Sequence, residues 1–293
     1  MTRDASLHVP AGAGAEDGWD LVVTPESAGW TFAGVRTLTL PAGGTRELPT
    51  AGVETIVVPL QGAAVVVAGG EQHPLGHRPD VFAGAPDVVY LPPGTKAALH
   101  SPDGGRYALA TAVTDDSSHP VVRIAAADVP VERRGAGQSS RLVRNFGVPD
   151  VLGAARIIAC EVVTPAGNWS SYPAHKHDEA GPTESELEEI YLYEIAAGPD
   201  GQPGFGFHRT SSSPGHPIDV LVEVHDRDVA LVPHGWHGPT VAAPGHDMWY
   251  LNVMAGPGAR QWLITDHPEQ TWVRGTWADE AVDPRLLDGR FGC

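Results

Sequence analysis

Short apolar runs, each followed by a glycine or proline, recur along almost the whole chain. Examples are VRTLTLPAG, VETIVVPLQG and DVVYLPPGT in the first half, and EEIYLYEIAAG, DVALVPHG and MWYLNVMAGPG in the second. Val, Ile, Leu and Thr dominate these runs, which is typical of β-strands separated by turns. Helical periodicity is weak, and the best helix candidates are short segments near residues 139–146 and 279–288. The pattern predicts an all-β protein built as a sandwich or barrel.

An internal repeat indicates how these strands are organised. The segments DVVYLPPGTKAALH (87–100) and DVALVPHGWHGPT (228–240) share the order strand, proline, glycine turn, histidine. This repeat predicts two similar β-barrels in tandem. We place the N-terminal barrel in residues 1–138 and the C-terminal barrel in residues 139–293, with VERRGAGQSSRLVRNF as a linker or bridging segment. Because only the second half contains a His-x-His sequence, only the C-terminal barrel is expected to hold a site.

Composition and charge narrow the class of protein. The 293 residues include 35 glycines and 27 prolines, which fits many turns, and the formal net charge is −17. Such a charge disfavours nucleic acids and anionic membranes as partners. The sequence has no apolar run of membrane-spanning length and no apolar leader in its first twenty residues. Its two cysteines, Cys160 and Cys293, are expected to be unpaired. We therefore expect a cytoplasmic protein with a small-molecule partner. The Trp-containing tail, residues 267–287, could cap the barrel or meet a second subunit of a homo-oligomer.

The string HKHD is the first part of a candidate metal site. On an extended strand, His175 and His177 point to one side and Lys176 to the other, so two imidazoles can share an ion. An acidic stretch follows, of which most carboxylates are expected to be solvated. It ends in EEIYLYEI, where alternation puts Glu188 and Glu189 on opposite faces. Alternation alone does not say which face is inside, so both remain candidate ligands.

A further histidine completes the set. In LVPHGWHGPT, His234 occupies a turn and is expected to be exposed, whereas His237 begins the next strand and can face inward. His-x-His, a glutamate and a distant histidine on a VP-x-G-x-H turn form the pattern of the cupin barrels. Three imidazoles and one carboxylate suit one divalent transition metal, namely Zn, Mn, Fe, Ni or Co, rather than Mg or Ca.

Several longer strings resemble the 5-deoxy-glucuronate isomerase family of myo-inositol catabolism, which is related to the 4-deoxy-5-ketouronate isomerases. They are YPAHKHD, ELEEIYLYEI, GFGFHRT, VALVPHGWHGP, PGHDMWYLNVMAGP and RQWLITDHPEQTW, and the likeness is strongest over residues 145–275. The resemblance implies a bicupin of two jelly-roll barrels and a metal site at His175, His177, Glu189 and His237, favouring Glu189 over Glu188. It also implies interconversion of 5-deoxy-D-glucuronate and 5-dehydro-2-deoxy-D-gluconate.

The chain departs from the family pattern in places. His208-Arg209-Thr210-Ser211 stands where the family usually has Gln-Arg-Val-Tyr, so a substrate hydrogen bond and one wall of the pocket could differ. Trp236 replaces a usual tyrosine, and Met248-Trp249-Tyr250 replaces Leu-Tyr-Tyr. These changes bear on fine specificity more than on the type of reaction.

An aldose–ketose isomerase needs an electrophile for the substrate oxygens, a base that moves the proton, and an anchor for the carboxylate. The metal would supply the first. Arg209 is the candidate anchor, because a guanidinium matches a carboxylate at two points. Asn252 shares a face with Tyr250 and is a candidate substrate-binding residue. The candidates for the base are Tyr191, Tyr193, Tyr250 and His208, and Lys176 is expected to point away.

Two other functions use the same residues. A cupin dioxygenase can hold iron with three histidines and one glutamate, but its pocket should be apolar and lack a carboxylate anchor. A non-catalytic sugar-binding or storage bicupin has no need of four ordered ligands, which argues against it.

Overall fold

The computed structural model describes residues 7–292, and Cys293, one of the two predicted free thiols, lies outside the described residues. As predicted, the chain is mostly β-structure. The first ten strands are β1 (His8–Val9), β2 (Leu21–Val23), β3 (Ala33–Leu40), β4 (Gly44–Glu47), β5 (Val53–Ala68), β6 (Glu71–Arg78), β7 (Val88–Leu91), β8 (Ala97–Ser101), β9 (Gly105–Val113) and β10 (Val122–Ile124). The others are β11 (Val131–Arg134), β12 (Arg141–Gly147), β13 (Ile158–Thr164), β14 (Trp169–Ser170), β15 (His175–Lys176), β16 (Glu188–Ile195), β17 (Phe205–Ser213), β18 (His216–His225), β19 (Val229–Val232), β20 (Trp236–Ala242), β21 (Met248–Ala255) and β22 (Thr265–Asp266).

Helical structure in residues 7–292 is sparse. The α-helices are the four-residue α1 (Pro25–Ala28) and α2 (Val273–Thr276). Single turns of 3-10 helix lie at Ala126–Asp128, Gly137–Ser139, Pro268–Gln270 and Pro284–Leu286. Among the described residues, none of the helices has the length and apolar character of a membrane-spanning segment.

The strands form three sheets. The first has nine strands in the order β10-β7-β5-β9-β3-β2, with β4, β6 and β8 attached to it. The second has seven strands in the order β1-β19-β16-β21-β13-β12-β11. The third has six strands, β18-β17-β20-β15-β22 with β14 beside β20. The second and third sheets enclose the C-terminal barrel.

The first two sheets repeat one topology, as the internal repeat predicts. Reading along each sheet, β10, β7, β5, β9, β3 and β2 occupy the positions of β1, β19, β16, β21, β13 and β12. The edge strand β1 comes from the start of the chain yet pairs with β19, through His8 opposite Ala230. Similarly, β11 pairs with β12. The division at residue 138 stays a prediction, and these two strands before it belong to the sheet of the C-terminal barrel.

Strand β16 is buried on both faces, which explains why alternation could not identify its inner face. Ile190 and Leu192 pack into a core shared with β5 residues such as Ile56, between the first and second sheets. Tyr191 and Tyr193 face the other way, into the C-terminal barrel. Full burial of one Leu or Ile contributes about 1.5–3 kcal/mol, so the shared core fixes the orientation of β16 and sends Glu189 into the barrel.

Two glutamates join the barrels in a reciprocal way. The Glu188 carboxylate accepts hydrogen bonds of 2.7–2.8 Å from the backbone N–H groups of residues 31–33. The Glu54 carboxylate accepts bonds of 2.7–2.9 Å from the N–H groups of residues 155–157. Glu188 is the first residue of β16 and Glu54 is the second residue of β5, and each binds the segment that leads into a strand of the other barrel. Glu188 therefore lies at the barrel interface, and this placement removes it as the alternative metal ligand.

The two helix predictions were wrong. Residues 141–147 form β12, which pairs with β11 and β13 and is buried along most of its length. Near residues 279–288 there is only the 3-10 turn Pro284–Leu286. Long-range strand pairing overrides the weak local preference in the first case. The predicted linker VERRGAGQSSRLVRNF is accordingly strand, turn and strand.

Candidate metal centre

Strand pairing brings the predicted ligands together inside the C-terminal barrel. His175 on β15 is the direct cross-strand partner of His237 on β20, and side chains of such pairs touch. The backbone at His177 pairs with the residue just before β16, because the Leu187 N–H donates to the His177 carbonyl at 2.8 Å. Two residues later, Glu189 points into the same space. Residues from three separate segments thus come together through the antiparallel ladders.

Three of the four side chains have ligand atoms within a few ångströms of one another. Glu189 Oε2 lies 3.1 Å from His177 Nε2 and 3.0 Å from His237 Nε2. Ligand atoms on one tetrahedral zinc, with bonds of about 2.0–2.1 Å, are separated by roughly 3.3 Å, so the spacing fits a shared ion. Within residues 7–292, this is the one His/Cys/Asp/Glu group of that compactness. The His175 ring centroid lies 4.5 Å from that of His237 and 6.5 Å from that of His177, at the edge of the group.

Backbone carbonyls orient all three imidazoles. The Nδ1 atoms of His175, His177 and His237 lie 3.1, 3.1 and 3.2 Å from the carbonyl oxygens of Pro173, Leu187 and Gly235. A carbonyl oxygen only accepts hydrogen bonds, so each Nδ1 carries the hydrogen and each neutral ring presents the Nε2 lone pair. This is the usual way in which proteins orient histidine ligands.

The nitrogen of His237 that faces Glu189 has the surroundings of a metal-ligand atom. Its Nε2 is buried and, among the described residues, has no hydrogen-bond partner, although a carboxylate oxygen is 3.0 Å away. A lone pair facing a carboxylate at this distance is unfavourable unless a proton or a metal ion lies between them. The donor set and its geometry therefore fit a divalent transition metal.

The electrostatics agree with this interpretation. Burial acts to raise the pKa of Glu189, but His237 and His177 outweigh it and hold that pKa below its usual range. For His177, burial acts to lower the pKa and the adjacent Glu189 carboxylate more than offsets it, so the pKa is raised. Burial, together with the neighbouring His237, holds the pKa of His175 well below its usual value. The cluster thus keeps its carboxylate ionised.

A narrow cavity of about 30 Å³ lies against the Glu189 side of this cluster. Tyr191, Tyr250 and Asn252 line it together with Glu189 and His175. The side-chain nitrogen of Asn252 is buried and, within the described part of the chain, has no hydrogen-bond partner. Asn252 therefore has a donor available for a ligand, and its role in substrate binding stays a prediction.

Hydroxyl groups form a chain beside the cavity. The Tyr191 hydroxyl lies 3.0 Å from Ser171 Oγ, which is 3.4 Å from the Tyr250 hydroxyl, and that hydroxyl lies 2.5 Å from Ser170 Oγ. Burial raises the pKa of Tyr250 to about 12 and that of Tyr191 well above its usual value. Both phenols are therefore neutral donors at physiological pH. Gly238 permits this packing, because a Cβ there would lie 1.9 Å from the Ser171 carbonyl oxygen.

Two of the predicted catalytic residues lie deeper in the barrel. The Tyr193 hydroxyl lies 2.7 Å from His208 Nδ1 and 3.0 Å from Thr240 Oγ1. His208 Nε2 lies 3.1 Å from Thr210 Oγ1, and burial lowers the pKa of His208 to about 3. Neither residue lines the cavity beside Glu189, so this placement does not support them as the proton-transferring base.

Arg209 does not reach the cavity. It projects from the outer face of β17, where its guanidinium pairs with the Asp219 carboxylate and donates to the Val220 carbonyl at 3.0 Å. On a strand, neighbours in sequence point to opposite faces, and His208 already occupies the inner one. The predicted role of Arg209 as the carboxylate anchor is therefore corrected by its position.

Other arginines, which the sequence analysis missed, surround the pocket. A cavity of about 190 Å³ adjoins the narrow one and is lined by Arg134, Arg141 and Arg274, with Trp262, Ile264 and His175. Arg134 and Arg141 belong to the segment interpreted as a linker. Their clustering in a chain of net charge −17 was a signal in the sequence, but only the fold shows where they point.

A buried ionic network supports the ligand loop from the other side. Asp178 Oδ1 accepts from Lys176 Nζ at 2.6 Å, and Oδ2 accepts from Ser213 Oγ and from the Gly235 N–H at 2.5 and 2.8 Å. Lys176 thus points away from the cluster, as predicted. Since the Gly235 carbonyl accepts from His237 Nδ1, Asp178 also helps to fix the orientation of a candidate ligand.

Comparison with known proteins identifies the lineage. The model of the KduI/IolB family matches residues 7–273, nearly the whole chain. The chain belongs to the KduI/IolB family. Curated relatives of this KduI/IolB protein are named 5-deoxy-glucuronate isomerase. The one from Geobacillus kaustophilus is 37% identical over 271 residues, covering 91% of this chain and 95% of the relative. The one from Lacticaseibacillus casei is 34% identical, covering 83% and 88%.

Solved structures agree with this assignment. An IolB-like protein from Salmonella typhimurium superposes on this KduI/IolB chain with a TM-score of 0.83 at 33% identity, covering 92% of this chain and 99% of the other. Oxalate decarboxylase from Lactobacillus farciminis gives a TM-score of 0.62 at 13% identity, covering 91% and 90%. The latter shows the fold alone, and it confirms the predicted tandem cupin architecture. Because the named relatives are isomerases, the dioxygenase alternative is not favoured.

Proposed function

We propose that this protein is a metal-dependent 5-deoxy-glucuronate isomerase of myo-inositol catabolism, interconverting 5-deoxy-D-glucuronate and 5-dehydro-2-deoxy-D-gluconate. The observation that carries the proposal is the convergence of His177, Glu189 and His237 beside a narrow cavity. The substrate is supported by the relatives of that name, which align over most of the chain. The cavity of about 190 Å³ that three arginines line suits a small anionic ligand.

In this proposal His175, His177, Glu189 and His237 hold one divalent transition metal. When bound, such an ion polarises a carbonyl and stabilises the negative charge that develops on the substrate oxygens. The fixed Nδ1–carbonyl bonds keep the three imidazoles oriented for this role. His175, which lies at the edge of the compact group, would be the fourth ligand.

The reaction moves one proton from C2 to C1 of the aldose and a second from the C2 hydroxyl to the C1 oxygen. Tyr191 and Tyr250 line the cavity, and their hydroxyls connect through Ser171. This series of hydroxyl groups suits the second transfer. It can take a proton from one substrate oxygen and return one to the other, because each hydroxyl both donates and accepts. The free amide donor of Asn252 would bind a substrate oxygen and hold it in place.

The cellular setting is part of the same proposal. Cys160 is buried as a free thiol in the C-terminal barrel, and burial raises the pKa of this thiol to about 12, so it is unreactive. A free thiol of this kind fits a reducing compartment, and we place the enzyme in the cytoplasm.

The direct test is incubation of purified, metal-loaded protein with 5-deoxy-D-glucuronate while proton NMR follows the aldehyde signal. Loss of that signal with appearance of the ketone product is expected from the wild-type protein. A His177→Ala variant should lose both metal and turnover. Absence of conversion by the metal-loaded wild-type protein would refute the substrate assignment, and oxygen consumption would revive the dioxygenase alternative.

A further inference from the structure

Arg141 occupies an unusual position for a guanidinium. Its residue is only 5% exposed, yet it lines both the narrow cavity beside Glu189 and the larger cavity that adjoins it. Because Arg141 lines both cavities, a ligand that extends from Glu189 into the larger cavity would pass beside it.

The hydrogen bonds of Arg141 leave part of its guanidinium uncommitted. One terminal nitrogen, Nη1, donates to the carbonyls of Ser139 and Tyr172 at 2.9 and 3.2 Å. Within residues 7–292 it forms no ion pair with a carboxylate. Burying a cation without a counter-ion is unfavourable, and a carboxylate ligand would relieve that cost. The second terminal nitrogen and Nε offer the parallel donors that a carboxylate accepts.

Neighbouring residues leave space for the Arg141 guanidinium and pack against it. At Gly135, where φ is +79°, a Cβ would lie 2.9 Å from Arg141 Nη1 and 2.2 Å from the Ser139 carbonyl oxygen. On another side, the guanidinium carbon lies 5.4 Å from the Trp277 ring centroid, within cation–π range. A glycine that makes room and an aromatic ring that packs against the group hold Arg141 in one place.

The two neighbouring arginines differ from Arg141, because each already has a carboxylate partner. Arg134 pairs with Glu132 through two bonds of 2.9 and 2.6 Å. Arg274 pairs with Asp266 through both of its carboxylate oxygens. Their charges are largely compensated, so of these three cavity arginines Arg141 alone has a charge available for a ligand.

We propose that Arg141 binds the carboxylate of the substrate, which makes this pocket selective for sugar acids over neutral sugars. This inference rests on the proposed function for the identity of the reacting end. That end, with its aldehyde, would lie at the Glu189 cluster, and the carboxylate at the far end of the molecule would lie at Arg141. Arg209, the carboxylate anchor predicted from the sequence, lies on the outside of the same barrel and serves as the matched control.

The first test is binding without turnover. Isothermal titration compares D-gluconate with D-glucitol, two six-carbon polyols that differ in the carboxylate. We expect wild-type protein to bind gluconate about 100-fold more tightly, as hydrogen-bonded charge pairs imply. Arg141→Gln should reduce this preference to a few-fold, with metal content unchanged, while Arg209→Gln should keep it. No preference in the wild-type protein, or the same preference in Arg141→Gln, would overturn the proposal.

The second test separates this inference from the proposed function. If the enzyme isomerises 5-deoxy-D-glucuronate, Arg141→Gln should raise KM about 100-fold with a smaller change in kcat, because the carboxylate is held in ground and transition states alike. Turnover by Arg141→Gln with an unchanged KM would refute the proposed role of Arg141 and would leave the proposed function intact. Selective gluconate binding by the wild-type protein without turnover of 5-deoxy-D-glucuronate would support the carboxylate-binding role of Arg141 and refute the substrate assignment. If Arg141→Gln does not fold, Arg141→Lys should lower the gluconate preference about 10-fold, since an ammonium lacks the paired donors, and an unchanged preference contradicts the proposal.

Discussion

The Glu189 carboxylate faces the Nε2 atom of His237 at 3.0 Å inside the C-terminal barrel, with His177 Nε2 on its other side at 3.1 Å. Both rings have their Nδ1 hydrogens committed to backbone carbonyls. A divalent cation bound between these atoms would interact favourably with the carboxylate and with both Nε2 lone pairs.

A bound metal should stabilise the fold. A ligand present at 100 times its Kd adds about 2.7 kcal/mol to the free energy of unfolding. We expect chelator-treated protein to unfold at lower urea concentration than protein given a divalent transition metal. His237→Ala should abolish the difference, whereas His234→Ala, which alters a histidine outside the cluster, should preserve it. Equal metal-dependent stabilisation in both variants would contradict the assignment.

The hydroxyl chain should matter for turnover and not for metal binding. Tyr191→Phe removes the hydroxyl that lies 3.0 Å from Ser171 and borders the cavity. Loss of a proton-transferring group usually lowers kcat by a factor of about 100 or more. Tyr193→Phe changes the same chemical group one step deeper and should leave kcat within a few-fold. The measurement is kcat with metal content determined on the same samples, and equal kcat values for the two variants would disprove the relay.

Asp178 should act on the metal through Gly235. The Asp178→Asn variant weakens the bond that fixes Gly235, whose carbonyl orients His237. Loss of such an orienting contact typically lowers metal affinity 10- to 100-fold. Glu179→Gln is the control, because Glu179 contacts Lys176 but is mostly exposed. Competition with a chromogenic chelator measures both affinities, and a loss of equal size in the two variants would rule out this positioning role.

His208 should make the protein sensitive to mild acid. Burial lowers its folded-state pKa to about 3, whereas an unfolded histidine has a pKa of about 6.5. Below about pH 6.5 the unfolded chain binds a proton that the folded chain does not, so stability falls by up to about 1.4 kcal/mol per pH unit. His208→Gln should remove this part of the dependence. Urea unfolding at pH 7 and pH 5 measures it, and the same loss in the variant would show that His208 is not the cause.

The sequence predicted most of the fold because strand alternation is a local property. The apolar runs correspond to strands, and Glu188 and Glu189 lie on opposite faces of β16, as alternation predicts. The choice between Glu188 and Glu189 was beyond this reasoning, since both faces of β16 are buried. The pairing of β1 with β19 was equally hidden, because nothing in His8–Val9 signals a partner more than 200 residues away.

The arginines show the same limit of prediction from the sequence. Alternation along β17 already separates His208 from Arg209, so the outward position of Arg209 could have been read from the sequence. The importance of Arg141 could not, because it depends on β12 packing beside the cavity and on Gly135 leaving room for the guanidinium. A sequence pattern identifies residues whose position depends on their neighbours in sequence. The folded structure is needed to identify residues whose role depends on contacts with distant segments.

Adjacent glutamates allow the most direct test of the central claim, that one divalent ion is held at His175, His177, Glu189 and His237. The measurement is the metal-to-protein ratio of Glu189→Gln and Glu188→Gln by elemental analysis after equal loading. We predict about one ion per chain in Glu188→Gln, whose carboxylate serves the barrel interface, and close to none in Glu189→Gln. Full metal content in folded Glu189→Gln, or loss of metal only in Glu188→Gln, would contradict the account.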